Sequence, residues 1–270
     1  MPAAWEMIKA VPQNETPGST SSGKQVIGRP TVIGQQARTS PVPPGAPVTK
    51  SVAVLIPHTG EVSSEWALMM REFPLPMGSQ LFMSRGMPID VTRESMVNAA
   101  MSAGFEWLFF IDSDVILPKD ALQKLLQDNL PIVSGLYKAK KPNGFFWAAW
   151  MQGKDPSGAD AFVPVDKWQG HLFEVDVIGT GCMLIHRKVI EEIKKKRPDL
   201  PLFFWTKERP DVVMDKFNLP MPLMKTVSED FWFCMLARSC GFQVVADGDV
   251  KCGHISMVKV TEDTVTLPSV

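Results

Sequence analysis

The chain has 270 residues, of which 45% are hydrophobic and 21% charged, with a formal net charge of −1. This is ordinary for a globular protein of one large α/β domain or two small ones, and it gives no global electrostatic pull toward nucleic acid or an anionic membrane. Cys182, Cys234, Cys240 and Cys252 form no C-x-x-C pair, which argues against a zinc knuckle or a thioredoxin-type site. With no signal-peptide core and no apolar run near the roughly 18 residues a spanning helix needs, the expectation is a soluble cytoplasmic protein with reduced, mostly buried thiols.

Residues 1–50 read as an extended or disordered arm, because 11–49 are rich in Pro, Gly, Ser, Thr and Gln and bury too little to offset their ordering entropy. A short helix is expected at "AAWEMIKA". Within the arm, "GSTSSGKQ" imitates a P-loop, but Gln25 replaces the magnesium-binding Ser/Thr and no apolar strand precedes it.

From Ser51 the character changes, and a single domain over 51–270 is expected. "VAVLIP" is a buried strand by its continuous β-branched run, and "QLFMSR" a second. Thr92 is placed to cap the helix "RESMVNAAMSA", which Gly104 stops; the strand "WLFFI" follows. Pro118 then opens the helix "KDALQKLLQD", and "PIVSGLY" is a further strand. "FEVDVIG" and "CMLIH" read as strands around Gly179, Thr180 and Gly181, and "VIEEIKKK" as a helix. "SEDFWFCMLARSCG" reads as a capped helix closed by Gly241, before the strand "FQVVA" and a last segment holding "CGHI". Alternating strands and helices predict an α/β fold, a Rossmann-like, mostly parallel twisted sheet with helices on both faces and ligands beyond the carboxyl ends of the strands.

Asp112 and Asp114 stand at such an end, as do His58 and Thr59. Residues i and i+2 of a strand face the same way, so the two carboxylates are expected to address one point, where hard oxygen ligands suit Mg²⁺ or Mn²⁺. A simple turn after the strand, with Asp114 as a helix cap, is the plainer alternative. Trp147 and Trp150 fit core packing better than a sugar-stacking platform.

The order of "VAVLIP", "RESMVNAAMSAGFEWLFFIDSDVILPKDAL", "VSGLY", "VIGTGCMLI", "SEDFWFCMLARSCGFQVVAD" and "CGHI" over about residues 51 to 256 resembles the GT-A glycosyltransferases, especially the inverting family 2-like enzymes. The resemblance implies a nucleotide-binding half over 51–140 and a smaller, mixed acceptor-binding half over 141–260. It also implies a metal-dependent, hexosyltransferase-type enzyme moving a sugar from a UDP- or GDP-sugar to a hydroxyl of a glycan, lipid-linked or protein acceptor. Asp112, Asp114 and His254 are then the metal ligands, for Mn²⁺ or Mg²⁺. Asp230 becomes the general base with Glu229 beside it, although acidic residues in a first helical turn also complement the helix dipole with no catalytic duty. His58, Thr59, Arg93, Ser113, Gly179 and Gly181 fall where the family holds its donor.

Two alternatives remain open at this stage. One is a catalytically inactive glycan-binding or assembly module on the same fold. The other is a sugar-1-phosphate nucleotidyltransferase, disfavoured because "IPHTGEVSSEW" is not the Gly-rich basic loop that chemistry needs.

Overall fold

The computed structural model describes residues 51–86, 88–141, 144–205 and 227–256. The arm, its short helix and the P-loop-like stretch lie outside the described residues. In chain order the elements are β1 (Val52–His58), α1 (Ser64–Glu72), β2 (Gln80–Arg85), α2 (Ile89–Ser102), β3 (Trp107–Ile111), β4 (Val115–Ile116), α3 (Ala121–Asp128), β5 (Ile132–Lys141) and β6 (Gly144–Trp147). They continue with β7 (Ala149–Lys154), β8 (Asp160–Pro164), β9 (Leu172–Val175), β10 (Val177–Ile178), β11 (Cys182–His186), α4 (Arg187–Lys196), α5 (Glu229–Ser239) and β12 (Val244–His254).

The main sheet runs β2-β1-β3-β11-β5-β12-β4, with β6 beside β5 and β9 beside β12; β10-β7-β8 form a smaller sheet. β1 is parallel to β2 and β3, and β12 to β5, while β11 is reversed between β3 and β5. The expected mostly parallel α/β sheet is therefore present, with a small antiparallel sheet added.

The continuous apolar runs are explained by burial on both faces. Leu55, Leu108 and Phe110 join one core with Val97 and Ala100 of α2 and Phe233 and Leu236 of α5. Val54, Ile56, Phe109 and Ile111 join the opposite core with Trp66 of α1 and Leu122 and Leu125 of α3. Each such side chain contributes roughly 1.5–3 kcal/mol by leaving water, and together they fix where the strand ends lie.

Several boundaries differ from expectation. Helix α2 begins at Ile89 behind an extended Pro88, and Thr92 Oγ1 donates back to the Pro88 carbonyl at 3.2 Å instead of capping. Asp90 supplies the anchoring, accepting from Val91 N and from Trp205 N, both at 2.9 Å. "FEVDVIG" breaks at Asp176, whose carboxylate accepts from Gln152 N at 2.6 Å and pairs with Arg238 at 2.7 Å, sending β9 and β10 to different sheets. "FQVVA" and "CGHI" are one strand, β12, with a bulge between Asp247 and Lys251. Helix α1 was not expected; Ser63 Oγ caps it by accepting from Trp66 N at 3.0 Å. Among the described residues no helix is long and apolar enough to cross a membrane.

Candidate functional site

The site begins where β3 ends. Asp112 leaves the strand directly into a turn in which Val115 N donates to the Asp112 carbonyl at 3.1 Å. Trp66 Nε1 donates to that carbonyl at 3.0 Å, and Asp112 N donates to the Gly181 carbonyl at 3.2 Å. The strand's period of two stops at Ile111, and within the turn each carboxylate has its own partner, although the Asp114 charge still acts on Asp112. Asp112 turns inward to Arg93 Nη2 at 2.9 Å, while Asp114, exposed, faces His254 Nε2 at 3.4 Å. Ser113 lies half-buried between them.

Arg93 is 3% exposed and reaches two motifs at once, donating through Nη2 to Asp112 and through Nε to Glu229 Oε1 at 3.3 Å. The Phe110 ring lies beneath its guanidinium at 5.3 Å, a cation–π contact that helps hold the charge in a desolvated place. Burial works against that charge, but Asp112, Asp230 and Glu229 outweigh it and raise the pKa of Arg93. Arg93 is thus a link between the two acidic motifs. Arg93 Nη1 and Glu229 Oε2 are buried without a hydrogen-bond partner among the described residues.

Glu229 and Asp230 open α5 but occupy different surroundings. Glu229 is 5% exposed, and burial, joined by the Asp230 charge and opposed by Arg93, pushes its carboxyl up to about 8. Asp230 accepts a 2.6 Å hydrogen bond from Thr180 Oγ1 at Oδ1. Adjacent carboxyls in unlike environments suit unlike roles. Burial likewise raises Asp112, with Arg93 opposing.

Gly179 and Gly181 are both buried, and what approaches them is protein. A Cβ on Gly179 would collide with the Tyr137 hydroxyl, and one on Gly181 would lie 2.8 Å from Val115 Cγ2 and 3.0 Å from the Tyr137 ring. Tyr137 Oη accepts from Gly181 N at 3.4 Å, and its ring lies 5.3 Å from that of His254. Burial, then the charges of Asp230 and Asp112, hold its hydroxyl well above the usual range. Sequence reasoning missed Tyr137, although the chain's one tyrosine, closing the predicted strand "PIVSGLY", was an available signal.

His58 closes β1, half-buried, with Nδ1 unpartnered among the described residues; Thr59 beyond it is exposed. Both lie at the expected edge without a hydrogen bond to the acidic cluster. Trp150 packs between Phe146 and Phe231, at 5.7 and 4.8 Å, as core packing requires.

The donor chemistry of the Asp114–His254 pair fits a hard divalent cation. Nδ1 of His254 lies 2.8 Å from the Lys138 carbonyl. A carbonyl only accepts, so Nδ1 carries the proton and the Nε2 lone pair is left facing Asp114 in the neutral ring. The Asp114 hydrogen bond, against burial, raises the His254 pKa, so a proton occupies this place at low pH. Among the described residues no group of three His, Cys, Asp or Glu side chains could hold a metal alone. A cation held by Asp114 and His254 would take its remaining ligands from water and ligand oxygens.

The fold and site together define a mixed α/β protein with an arginine-bridged acidic centre at the carboxyl edge of a mostly parallel sheet. No family model and no curated protein matches the chain. Among solved structures it is similar to A197 from STIV, with a TM-score of 0.48 and 17% identity over 77% of this chain and 86% of that one. It is also similar to GalNAc-T7, solved with UDP, GalNAc and Mn²⁺, with a TM-score of 0.47 and 12% identity over 78% of this chain. The match spans 44% of the GalNAc-T7 chain, less than half its length.

Proposed function

We propose that this protein is a metal-dependent glycosyltransferase of the GT-A type that moves a sugar from a UDP- or GDP-sugar to a hydroxyl acceptor with inversion. Residues 51–140 bind the nucleotide and 141–260 the acceptor. The observation that carries the reading is the bridge by Arg93 from Asp112 to Glu229, which gathers the Asp-x-Asp turn and the Glu-Asp helix start, far apart in sequence, beside Asp114 and His254.

The acceptor oxygen forms the new bond to the anomeric carbon as the bond to the nucleoside diphosphate breaks. Asp230 takes the hydroxyl proton; its other oxygen is occupied by Thr180, which fixes the direction of the free lone pairs. Glu229, retaining its proton near neutral pH, positions the acceptor. Asp114 and His254 would hold Mn²⁺ or Mg²⁺, which supplies Lewis-acid stabilisation of charge on the departing diphosphate. Asp112 with Arg93, and His58, Thr59 and Ser113 at the same edge, frame the nucleotide.

A thermal-shift screen of UDP, GDP and their sugar conjugates tests this, since a native-state ligand raises the melting temperature by mass action. Stabilisation by one nucleotide in Mn²⁺, lost in excess chelator, is expected. No stabilisation by any of them would overturn the reading.

A further inference from the structure

Three lysines on one face of β5 and β12 lack a carboxylate partner among the described residues: Lys138, Lys140 and Lys251. Their situation is unlike that of Lys119, Lys124 and Lys154, which pair with Glu72, Asp120 and Asp160. Each of the three stands instead beside an aromatic ring. In the β5–β6 hairpin Lys138 is directly opposite Trp147, and Lys140 opposite Phe145. Directly opposed residues share a face, as do Lys138 and Lys140 two apart on one strand. Lys251 pairs with Leu136, two residues before Lys138, and so joins the same face.

The rings and ammonium groups form a strip. Lys138 Nζ lies 5.1 Å over the Trp147 ring, Lys251 Nζ 6.0 Å over the Trp168 ring, and the two indoles meet edge-on at 5.6 Å. Trp168 is held from behind by stacking on Phe173 at 5.1 Å. Phe145, opposite Lys140, is 50% exposed. Pinning an ammonium group over an indole restricts its motion, which lowers the entropy an anion must overcome to bind it. At the strip's near end, the Lys138 carbonyl holds His254.

The geometry points to this strip as the binding site for an acidic saccharide, its carboxylate or sulfate groups on Lys138, Lys140 and Lys251 and a pyranose face against the exposed ring of Phe145. That the saccharide is the acceptor rests on the transferase reading above; that it binds does not. A glycan is favoured over single-stranded nucleic acid because the indoles are crossed edge to face, which offers no run of parallel platforms for successive bases.

The test is binding by the full chain without nucleotide or metal, followed by tryptophan fluorescence, using a heparin-derived hexasaccharide, uncharged maltohexaose and a thymidine octanucleotide as probes. The hexasaccharide is expected to change the fluorescence and to bind more weakly as salt rises. Replacing the three exposed lysines together (K138Q, K140Q and K251Q) should weaken it about tenfold or more. Absence of hexasaccharide binding, equal binding of maltohexaose, tighter binding of the octanucleotide, or indifference to the triple substitution would each overturn the proposal. Failure of the nucleotide thermal-shift screen with hexasaccharide binding intact would overturn the transferase reading and leave the saccharide site standing.

Discussion

Arg93 joins Asp112 and Glu229 through two nitrogens of one buried guanidinium, at 2.9 and 3.3 Å. The turn after β3 and the start of α5 therefore cannot move independently without breaking either the ion pair to Asp112 or the buried hydrogen bond to Glu229.

Removing the arginine leaves Asp112 without its countercharge and Glu229 without its donor. Arg93→Met should lower stability by ~3 kcal/mol or more, measured by chemical denaturation. Because the guanidinium fork is what spans both partners, Arg93→Lys should recover only part of the loss. Full recovery by lysine would show that charge alone matters and that the double contact does not.

The pH dependence of stability should carry the signature of Glu229. Its folded carboxyl is pushed up to about 8 from an ordinary value of 4.5. A raised carboxyl stabilises fully below its unfolded value, and that contribution fades as pH climbs through the folded one. Between pH 4.5 and 8 the melting temperature should thus fall with pH in the parent protein and fall less in Glu229→Gln. Parallel melting curves for the two proteins across that range would refute the assignment.

Manganese should compete with a proton at His254, whose pKa is raised chiefly by its hydrogen bond to Asp114. Stabilisation by Mn²⁺ with a nucleoside diphosphate should therefore be weak at pH 6 and grow toward pH 8. His254→Ala should remove both the stabilisation and its pH trend, and Asp114→Ala should remove the stabilisation. A metal effect independent of pH, or surviving both substitutions, would place the cation elsewhere.

Gly179 makes room for Tyr137. Gly179→Ala drives a methyl into the tyrosine hydroxyl and should cost ~1–3 kcal/mol, the usual cost of overpacking. The same substitution in a Tyr137→Phe background should cost less, because the atom nearest the methyl is gone. An equal cost in both backgrounds would mean the clash is absorbed elsewhere.

The strands that place the site were legible because "VAVLIP" and "WLFFI" are buried on both faces and so carry no polar alternation. The residue types at their ends were legible for the same reason, since carboxylates directly after such runs need partners. The partners of Asp112 and Asp114 were not, because both stand in the turn beyond β3, where Arg93 and His254 arrive from elements distant in sequence. Nor was the role of Arg93, whose contacts cross from α2 to α5 and leave no local trace. Helix α1 was hidden because only Trp66 among its residues is buried, too little for an apolar stripe. The bulge that carries β12 on to His254 likewise has no hydrophobic period to announce it.

The most direct measurement of the central claim compares Asp230→Asn with the parent protein in two assays on the same preparations, donor binding by Mn²⁺-dependent thermal shift and sugar transfer to acceptor. The account predicts unchanged donor binding and transfer lowered by roughly 10² to 10⁴, since an amide cannot accept the acceptor's proton, with an inverted anomeric centre in the parent's product. Near-normal transfer by the Asp230→Asn protein would contradict it.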